Sequence, residues 1–254
     1  MGKSIKKQTR RPTIPIRLTY ECNNKCKYCY EDIALAPRGF MTEETFDGAL
    51  KLAKRKGYSR ILLFGGEPSL HPKLIHFAKK AKQNGFQIIM FTNFSRPGII
   101  KELDSVLDAL DNIIISYHDA KISLPKQIEF NSKLTLSTLI YKGRFKTKED
   151  LDKFIDDKKD LGLHLDFRTL MPATQWAADN QFVDFLEELY HKTPIENRSV
   201  FNGCETITYR NCMIKFNNKV YNFIPIANID MDGKFHKDHI RKEYKPQIKT
   251  TLKV

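Results

Sequence analysis

The sequence lacks any apolar run long enough to cross a membrane. A spanning helix needs about 20 consecutive, mostly apolar residues, and no stretch of this 254-residue chain approaches that length. No apolar segment near the first residue resembles a signal peptide either. The sequence therefore predicts no contact with a membrane and a location in the cytoplasm.

Cysteine is scarce, and the number of cysteines is odd. The chain has five cysteines, and three of them fall between positions 22 and 29. Disulfide-stabilised secreted domains instead carry an even set of cysteines at regular spacings. The distribution argues against a secreted disulfide framework and favours metal ligation in a reducing compartment.

Acidic residues are absent before Glu21, although Lys and Arg are frequent there. Residues 1–13 are therefore predicted to form a basic, flexible arm. The whole chain has a formal charge of +13, which favours polyanionic partners such as RNA, DNA or an acidic peptide. The many Lys, Asn and Ile residues are equally typical of a genome poor in G and C, so charge alone does not identify a partner.

Strand-like and helix-like segments alternate along most of the chain. Apolar, β-branched runs predict strands at residues 14–18, 60–64, 86–92, 112–117, 133–141 and 163–170. Amphipathic stretches predict helices at residues 43–56, 72–84, 99–110, 149–161 and 179–191. This order predicts an α/β fold, a partial (βα)6 TIM-like barrel over residues 14–193. Its binding site is expected at the carboxyl ends of the strands.

The pattern changes beyond residue 193. Strand-like stretches at residues 205–216, 219–229 and 233–236 are separated by Asn217-Asn218 and by Asp232-Gly233, which are hairpin signals. Residues 194–254 are therefore predicted to form a small β-rich carboxyl-terminal extension.

Three cysteines form a compact loop directly after the first predicted strand. Cys22, Cys26 and Cys29 have the spacing C-x3-C-x2-C. Three thiolates on one loop can hold three irons of a cubane and leave the fourth iron open to an external ligand. A structural zinc site normally takes a fourth protein ligand, and the loop supplies none. A zinc knuckle is the alternative reading.

With Tyr28 in the aromatic place, the loop resembles the C-x3-C-x-aromatic-C hallmark of the radical S-adenosylmethionine (radical SAM) superfamily. The resemblance implies a [4Fe-4S] cluster on the three cysteines, with S-adenosylmethionine on the open iron. It also implies a reductant such as flavodoxin or ferredoxin, and cleavage of S-adenosylmethionine to a 5'-deoxyadenosyl radical that abstracts hydrogen from the substrate.

Downstream residues extend the resemblance to the S-adenosylmethionine contacts. The segment Gly65-Gly66-Glu67-Pro68 resembles the family's GGEP segment, which holds the methionine amino group. Thr92-Asn93 resembles the family's Thr-Asn-Gly strand end, with Phe94 in place of the usual glycine. Two adjacent glycines allow a backbone edge to approach a ligand closely.

Two later strand positions complete the predicted cofactor contacts. Ser116 matches a position from which many family members reach the ribose or the methionine carboxylate. Arg168 is expected to pair with that carboxylate, because an arginine inside an apolar strand needs an anionic partner. His118, Asp119 and Asp166 are expected at the same rim, with no role assigned.

The last two cysteines, Cys204 and Cys212, have three alternative interpretations. They are candidate hydrogen-atom donors that quench a substrate radical, as in family members that invert peptide stereocentres. A second cluster would need them together with ligands such as His236 or His239. They also suit a role as small buried apolar residues.

The predicted function is that of a radical SAM enzyme acting on a peptide or a nucleic acid. A peptide substrate, matured or epimerised, fits the β-rich extension, whereas a nucleic acid fits the charge. The alternative from a different class is a non-catalytic, zinc-binding nucleic-acid-binding protein.

Overall fold

The structure, a computed structural model, describes residues 12–29, 38–96, 98–99, 102–118, 133–158, 161, 163–170, 174–180, 184–201, 204–220 and 227–236. Most of the predicted basic arm, together with Asp119 and His239, lies outside these ranges. Within them, no helix is both long enough and apolar enough to span a bilayer.

The described strands form one 11-stranded sheet. The strands are β1 Thr13–Thr19, β2 Arg60–Gly65, β3 Gln87–Thr92, β4 Asn112–Ser116, β5 Leu134–Ile140, β6 His164–Thr169, β7 Arg198–Phe201, β8 Cys204–Tyr209, β9 Cys212–Val220, β10 Asn228–Ile229 and β11 Phe235–His236. The α-helices are α1 Glu43–Arg55, α2 Leu74–Gln83, α3 Leu103–Ala109, α4 Lys148–Lys158, α5 Gln175–Asp179 and α6 Asp184–Lys192. Short 3-10 helices occur at Pro68–Leu70 and Ile195–Asn197.

The sheet is parallel through its centre and open at its edges. Its strand order is β11-β10-β1-β2-β3-β4-β5-β6-β9-β8-β7, and β1 to β6 pair in parallel with their sequence neighbours. Six parallel strands in chain order, with helices following several of them, confirm the predicted α/β fold of the TIM-like type. Because the strands run in one direction, their carboxyl ends meet along one rim.

One face of the sheet packs against the helices. Because side chains along a strand point alternately to the two faces, the buried residues also show which residues lie on the other face. In β1, Ile14, Ile16 and Leu18 are fully buried in the main core, so the intervening residues point the opposite way. Helix α1 covers this core with Phe46, whose ring stacks on Phe77 of α2 at 4.2 Å. Each fully buried side chain of this size contributes about 1.5–3 kcal/mol.

Helix α1 begins where the sequence predicts. Thr42 is its N-cap, and the Thr42 side chain accepts a hydrogen bond from the Thr45 N–H at 3.2 Å. The helix predicted over residues 179–191 corresponds to α6, but its predicted start is wrong, because α6 begins at Asp184 and residue 179 is instead the last residue of α5. Asn180 caps the end of α5, and its side-chain amide donates to the Trp176 carbonyl, which helps to end that helix early.

The predicted turn at Asn217-Asn218 is also wrong. Both residues lie inside β9, and the β8–β9 hairpin turns instead at Arg210-Asn211, whose φ angles are 48° and 63°. Such paired positive φ angles match the twist of a tight hairpin, and Asn tolerates them better than most residues. The turn predicted at Asp232-Gly233 is confirmed, with Gly233 at φ 81° between β10 and β11.

The strands after residue 193 extend the central sheet at both edges. Strand β9 pairs in parallel with β6 and carries β8 and β7 beyond it. At the opposite edge β10 pairs in parallel with β1 and carries β11. The strand-rich composition of this region is therefore seen in the described residues, while the boundary at residue 193 stays a prediction.

Candidate functional site

The three clustered cysteines lie at the carboxyl end of β1. Cys22, Cys26 and Cys29 are all partly exposed. The Cys29 N–H donates to the Cys26 carbonyl at 3.1 Å, closing a tight turn between these two cysteines. We refer to residues 19–29, which begin with the last residue of β1, as the cysteine loop.

The loop after β2 is docked against the cysteine loop by backbone hydrogen bonds. The Gly66 N–H donates to the Thr19 carbonyl at 2.9 Å, and the Glu67 N–H donates to the Glu21 carbonyl at 2.7 Å. A Cβ atom at Gly66 would lie 2.3 Å from the Glu21 carbonyl oxygen. One at Gly65 would lie 2.2 Å from the Thr19 carbonyl oxygen. The absence of a Cβ atom at Gly65 and Gly66 therefore allows the backbone of this loop to lie directly against the backbone of the cysteine loop.

The Glu67 carboxylate fastens this loop to the end of β3. The side chain is only 1% exposed. Its Oε1 accepts from the Ser69 N–H at 2.9 Å and from the Thr92 hydroxyl at 2.7 Å. Its Oε2 accepts from the Asn93 N–H at 2.6 Å. Burial raises the pKa of the Glu67 carboxyl, although these donors act in the opposite direction.

Asn93 joins the end of β3 to the cysteine loop. Its Nδ2 donates to the Asn23 side-chain oxygen at 2.8 Å and lies 3.9 Å from the Cys22 sulfur. The next residue, Phe94, is 4% exposed and has a φ of 55°. A bulky residue rarely adopts this left-handed conformation, whereas the glycine of the Thr-Asn-Gly pattern that this strand end resembles would adopt it without strain.

The Cys22 thiol is partly buried between the cysteine loop and the end of β3. Its sulfur accepts from the Asn24 N–H at 3.4 Å. Burial, and to a lesser degree the nearby Glu67 and Cys26, raise the pKa of the Cys22 thiol. Metal binding requires the thiolate, so a bound cation would reverse this effect by stabilising the charge.

Aromatic residues form the other wall of the cysteine loop. The Tyr28 ring meets the His118 ring edge to face at 5.4 Å and lies 6.3 Å from the Trp176 ring. Thr174, the N-cap of α5, donates its hydroxyl hydrogen to the Lys27 carbonyl at 3.2 Å. Helix α5 therefore holds the far side of the loop.

Polar residues line the face of the sheet that lies opposite the main core, near the carboxyl ends of the strands. Ser116, Ser137 and Asp166 lie side by side on β4, β5 and β6. Arg168 donates from Nε and Nη2 to Asp166 Oδ2 at 3.1 and 2.9 Å, and its guanidinium lies 5.1 Å from the centre of the Phe91 ring. The protein therefore supplies an anionic partner for Arg168, and pairing with a ligand carboxylate stays a prediction.

His118 is held neutral at the end of β4. Burial, together with the positive charges of Arg168 and Arg144, lowers the pKa of His118 to about 3. Its buried Nδ1 has no hydrogen-bond partner among the residues that the structure describes.

The structure separates the two later cysteines. Cys204 pairs with Val220 and Cys212 pairs with Tyr209 across the β8–β9 hairpin. Five residues along a strand span about 17 Å, so the two cannot ligate one cluster, and His236 lies in β11 at the other edge of the sheet. The idea of a shared second cluster is wrong. Cys212 is buried in an apolar cluster with Ile207 and Ile214, and its role as a hydrogen-atom donor stays an unsupported prediction.

A charged network below the cysteine loop was missed by sequence reasoning. The Tyr20 hydroxyl lies 2.7 and 2.9 Å from the two carboxylate oxygens of Asp230. Arg17, itself buried, lies 3.2 Å from Asp230 and stacks over the rings of Tyr20 and Phe64. The only signal in the sequence was an aspartate beside the Asp232-Gly233 turn.

The donor set of the cysteine loop fits a cubane better than a single ion. Among the described residues, no three His, Cys, Asp or Glu side chains converge on a point where one metal ion would sit. A cubane does not require such convergence, because each of three thiolates binds a different iron.

A parallel α/β sheet with three cysteines at the end of its first strand is typical of enzymes that bind a cofactor at the carboxyl ends of the strands. Residues 16–173 match the Radical SAM superfamily, and the chain belongs to this family. It is an enzyme of that family, and its cofactors are a [4Fe-4S] cluster and S-adenosylmethionine.

Two curated relatives have names that refer to nucleotides. Over 116 residues the chain is 32% identical to a probable GTP 3',8-cyclase of Thermococcus kodakarensis, covering 44% of this chain and 37% of the relative. Over 174 residues it is 25% identical to an S-adenosylmethionine-dependent nucleotide dehydratase of Flammeovirga pacifica, covering 58% and 59%. The chain therefore spans less than two thirds of either relative.

A solved structure supports the fold. The structure of Streptococcus suis SuiB bound to precursor peptide SuiA aligns with a TM-score of 0.50 at 13% identity, covering 71% of this chain and 45% of SuiB. At this identity the likeness concerns the fold alone.

Proposed function

We propose that Cys22, Cys26 and Cys29 bind the [4Fe-4S] cluster and that the chain cleaves S-adenosylmethionine reductively. The observation that carries this proposal is the docking of the Gly65-Gly66 loop on the cysteine loop, with hydrogen bonds of 2.7 and 2.9 Å. It brings the segment that resembles a methionine-binding motif against the segment that resembles a cluster-binding motif. When bound, the cluster supplies the electron that breaks the sulfonium bond and yields a 5'-deoxyadenosyl radical.

Residues around the rim would bind and orient S-adenosylmethionine. The proposed contacts share a position at strand ends or in the adjoining loops. They are Tyr28, Gly65, Gly66, Glu67, Pro68, Asn93, Ser116 and Arg168. Because the Glu67 carboxylate already accepts three hydrogen bonds, we assign it chiefly to fixing the loop. The backbone groups of the residues beside Glu67 would then bind the methionine amino group.

We propose a nucleotide-containing substrate, including a nucleic acid, as the first candidate. The net charge of +13 and the two relatives named for GTP and nucleotide chemistry support it. A peptide, matured or epimerised, is the second candidate, in keeping with the hairpins at both sheet edges and with the peptide named in the SuiB structure. A non-catalytic zinc protein is not supported by the family membership.

The electron donor and the location are proposed on chemical grounds. A low-potential carrier such as flavodoxin or ferredoxin would reduce the cluster. A thiolate-bound cluster needs a reducing compartment, so the cytoplasm stays our prediction.

Anaerobic reconstitution tests the proposal. The protein is purified without oxygen, supplied with iron and sulfide, reduced with dithionite and mixed with S-adenosylmethionine, and 5'-deoxyadenosine is measured. Wild type should form it, Cys26→Ala should not, and Cys212→Ala, which removes a thiol outside the cysteine loop, should behave as wild type. A colourless zinc protein that forms none, or full activity in Cys26→Ala, would refute the proposal.

A further inference from the structure

The side-chain amide of Asn93 has its orientation fixed by Ser95. The Asn93 Oδ1 accepts from the Ser95 N–H at 3.0 Å and from the Ser95 hydroxyl at 2.7 Å. A backbone N–H can only donate, so the oxygen of the amide must face Ser95. The Nδ2 group must therefore face the cysteine loop.

The two N–H bonds of this Nδ2 have two acceptors within reach. One is the Asn23 side-chain oxygen at 2.8 Å, and the other is the Cys22 sulfur at 3.9 Å. An amide with both hydrogens can serve both acceptors at once. The sulfur contact is long while Cys22 is a thiol, and a thiolate is a stronger acceptor than a thiol.

The backbone of Asn93 is also fixed in place. Its N–H donates to the Glu67 carboxylate at 2.6 Å. The Phe94 N–H donates to the Thr92 hydroxyl at 2.9 Å, and the Phe94 backbone is in the left-handed region. The amide therefore reaches Cys22 from a rigid support rather than from a free loop.

We propose that Asn93 donates a hydrogen bond to the Cys22 sulfur in the cluster-bound protein and thereby raises the reduction potential of the cluster. Reduction adds negative charge, which spreads onto the thiolate sulfurs. A donor at a sulfur stabilises the reduced state more than the oxidised state. This inference rests on the proposed function, because it requires Cys22 to bind the cluster.

The role differs from the S-adenosylmethionine contact expected for Asn93 from its sequence motif. The Asn24 N–H also donates to the Cys22 sulfur, at 3.4 Å, and belongs to the backbone. Asn93 is thus the side-chain donor that substitution can remove. Asn23 lies in the same hydrogen-bond network, and its side chain bonds to Asn93 and Ser95.

A redox titration monitored by electron paramagnetic resonance tests the proposal in three variants. Asn93→Ala removes the donor and should lower the reduction equilibrium constant about threefold to tenfold, where tenfold corresponds to 59 mV for one electron. Asn93→Asp keeps an oxygen for Ser95 but replaces the donor by a charged acceptor, so its potential should fall further. Asn23→Ala is the matched control and should keep the wild-type potential.

The outcomes separate this inference from the proposed function. If wild type binds no iron and sulfide, the proposed function fails first. If wild type binds the cluster and the Asn93 variants share its potential, only the present inference fails. If both Asn93 variants lose the cluster while Asn23→Ala retains it, Asn93 is a structural residue and the tuning role is overturned.

A spectroscopic signature gives a second readout that a purely structural role would not change. In the reduced wild-type protein, an exchangeable proton near sulfur should couple to the cluster, and the coupling should weaken after transfer to heavy water. Asn93→Ala should lack one such coupling, and Asn23→Ala should retain it. An identical set of couplings in wild type and Asn93→Ala would overturn the proposal.

Discussion

The Glu67 carboxylate accepts a 2.6 Å hydrogen bond from the Asn93 N–H, and this contact joins the loop after β2 to the end of β3. Because the same loop is hydrogen-bonded to the cysteine loop, three segments that follow three different strands are joined in one hydrogen-bonded unit. The candidate cofactor site therefore depends on a small number of buried backbone contacts, and single substitutions at these contacts test it.

Gly66→Ala should prevent the docking of the two loops. Its Cβ would meet the Glu21 and Tyr20 carbonyl oxygens at 2.3 and 2.5 Å, and overpacking of this kind costs about 1–3 kcal/mol. We expect a lower free energy of unfolding in urea and reduced iron content after reconstitution. Gly48→Ala is the control, since Gly48 lies in α1 with open space around it. Alanine there should stabilise the helix by about 0.5–1 kcal/mol.

Glu67→Gln should destabilise the fold and loosen the end of β3. One of the two acceptor oxygens becomes an NH2 group that faces a donor, so a charge-assisted hydrogen bond worth about 1.5–3 kcal/mol is lost. Urea unfolding of the metal-free protein measures the loss. Glu188→Gln is the control, because Glu188 is exposed on α6 and pairs with Lys192. A change there should stay within about 0.5 kcal/mol, and equal effects in the two variants would contradict the interpretation.

His118 should make the stability of the protein depend on pH. The pKa of His118 is lowered to about 3, whereas an unfolded histidine titrates near a pKa of about 6.5. Between these values the unfolded chain binds a proton that the folded chain does not. Stability is therefore fully present above about pH 6.5 and is lost as the pH falls.

His118→Phe keeps a ring against Tyr28 and removes the titration. Between pH 7 and pH 5 the wild type should lose about 2 kcal/mol more than this variant, measured by urea unfolding of the metal-free protein at each pH. His191→Phe, at an exposed histidine of α6, should show the pH dependence of wild type. Parallel pH curves for wild type and His118→Phe would show that His118 is not buried as a neutral ring.

At position 94 we expect glycine to give a more stable protein than alanine, which is the reverse of the order found in a helix. Removing the buried ring costs about 3–5 kcal/mol in either variant. Alanine retains the strain of a left-handed residue at φ 55°, which glycine relieves by about 1 kcal/mol. Phe94→Gly should therefore be more stable than Phe94→Ala, as thermal or urea unfolding will show.

Phe77 provides the matched control for this comparison. It is fully buried in α2, where glycine is less favourable than alanine by about 1 kcal/mol. Phe77→Gly should therefore be less stable than Phe77→Ala. The same order of stability at both positions would contradict the assignment of strain to Phe94.

The sequence predicts the parallel core because local signals and tertiary structure agree there. Apolar runs mark β1 to β6, and Thr42 marks the start of α1 through its side-chain oxygen. The β8–β9 turn was mispredicted for the opposite reason. Asn217-Asn218 carries the stronger local turn signal, but both residues are held in β9.

The sequence indicates which residues are candidates for the site, but it does not indicate which residues contact one another there. The spacing of the cysteines and the Gly65-Gly66 pair are local features, so pattern reasoning finds them. The surface that the glycines meet, the carbonyl groups of Thr19 and Glu21, is defined only by folding. Arg168 was expected to face a ligand, whereas Asp166, two residues earlier on the same strand, already pairs with it.

The contact between Tyr20 and Asp230 joins residues 210 positions apart. The ribosome makes residue 20 long before it makes the Asp230 carboxylate that binds the Tyr20 hydroxyl. During synthesis β1 therefore remains an edge strand until β10 has emerged and paired with it. The strand that leads into the cysteine loop is therefore expected to complete its pairing on both sides only after residue 229 has been translated.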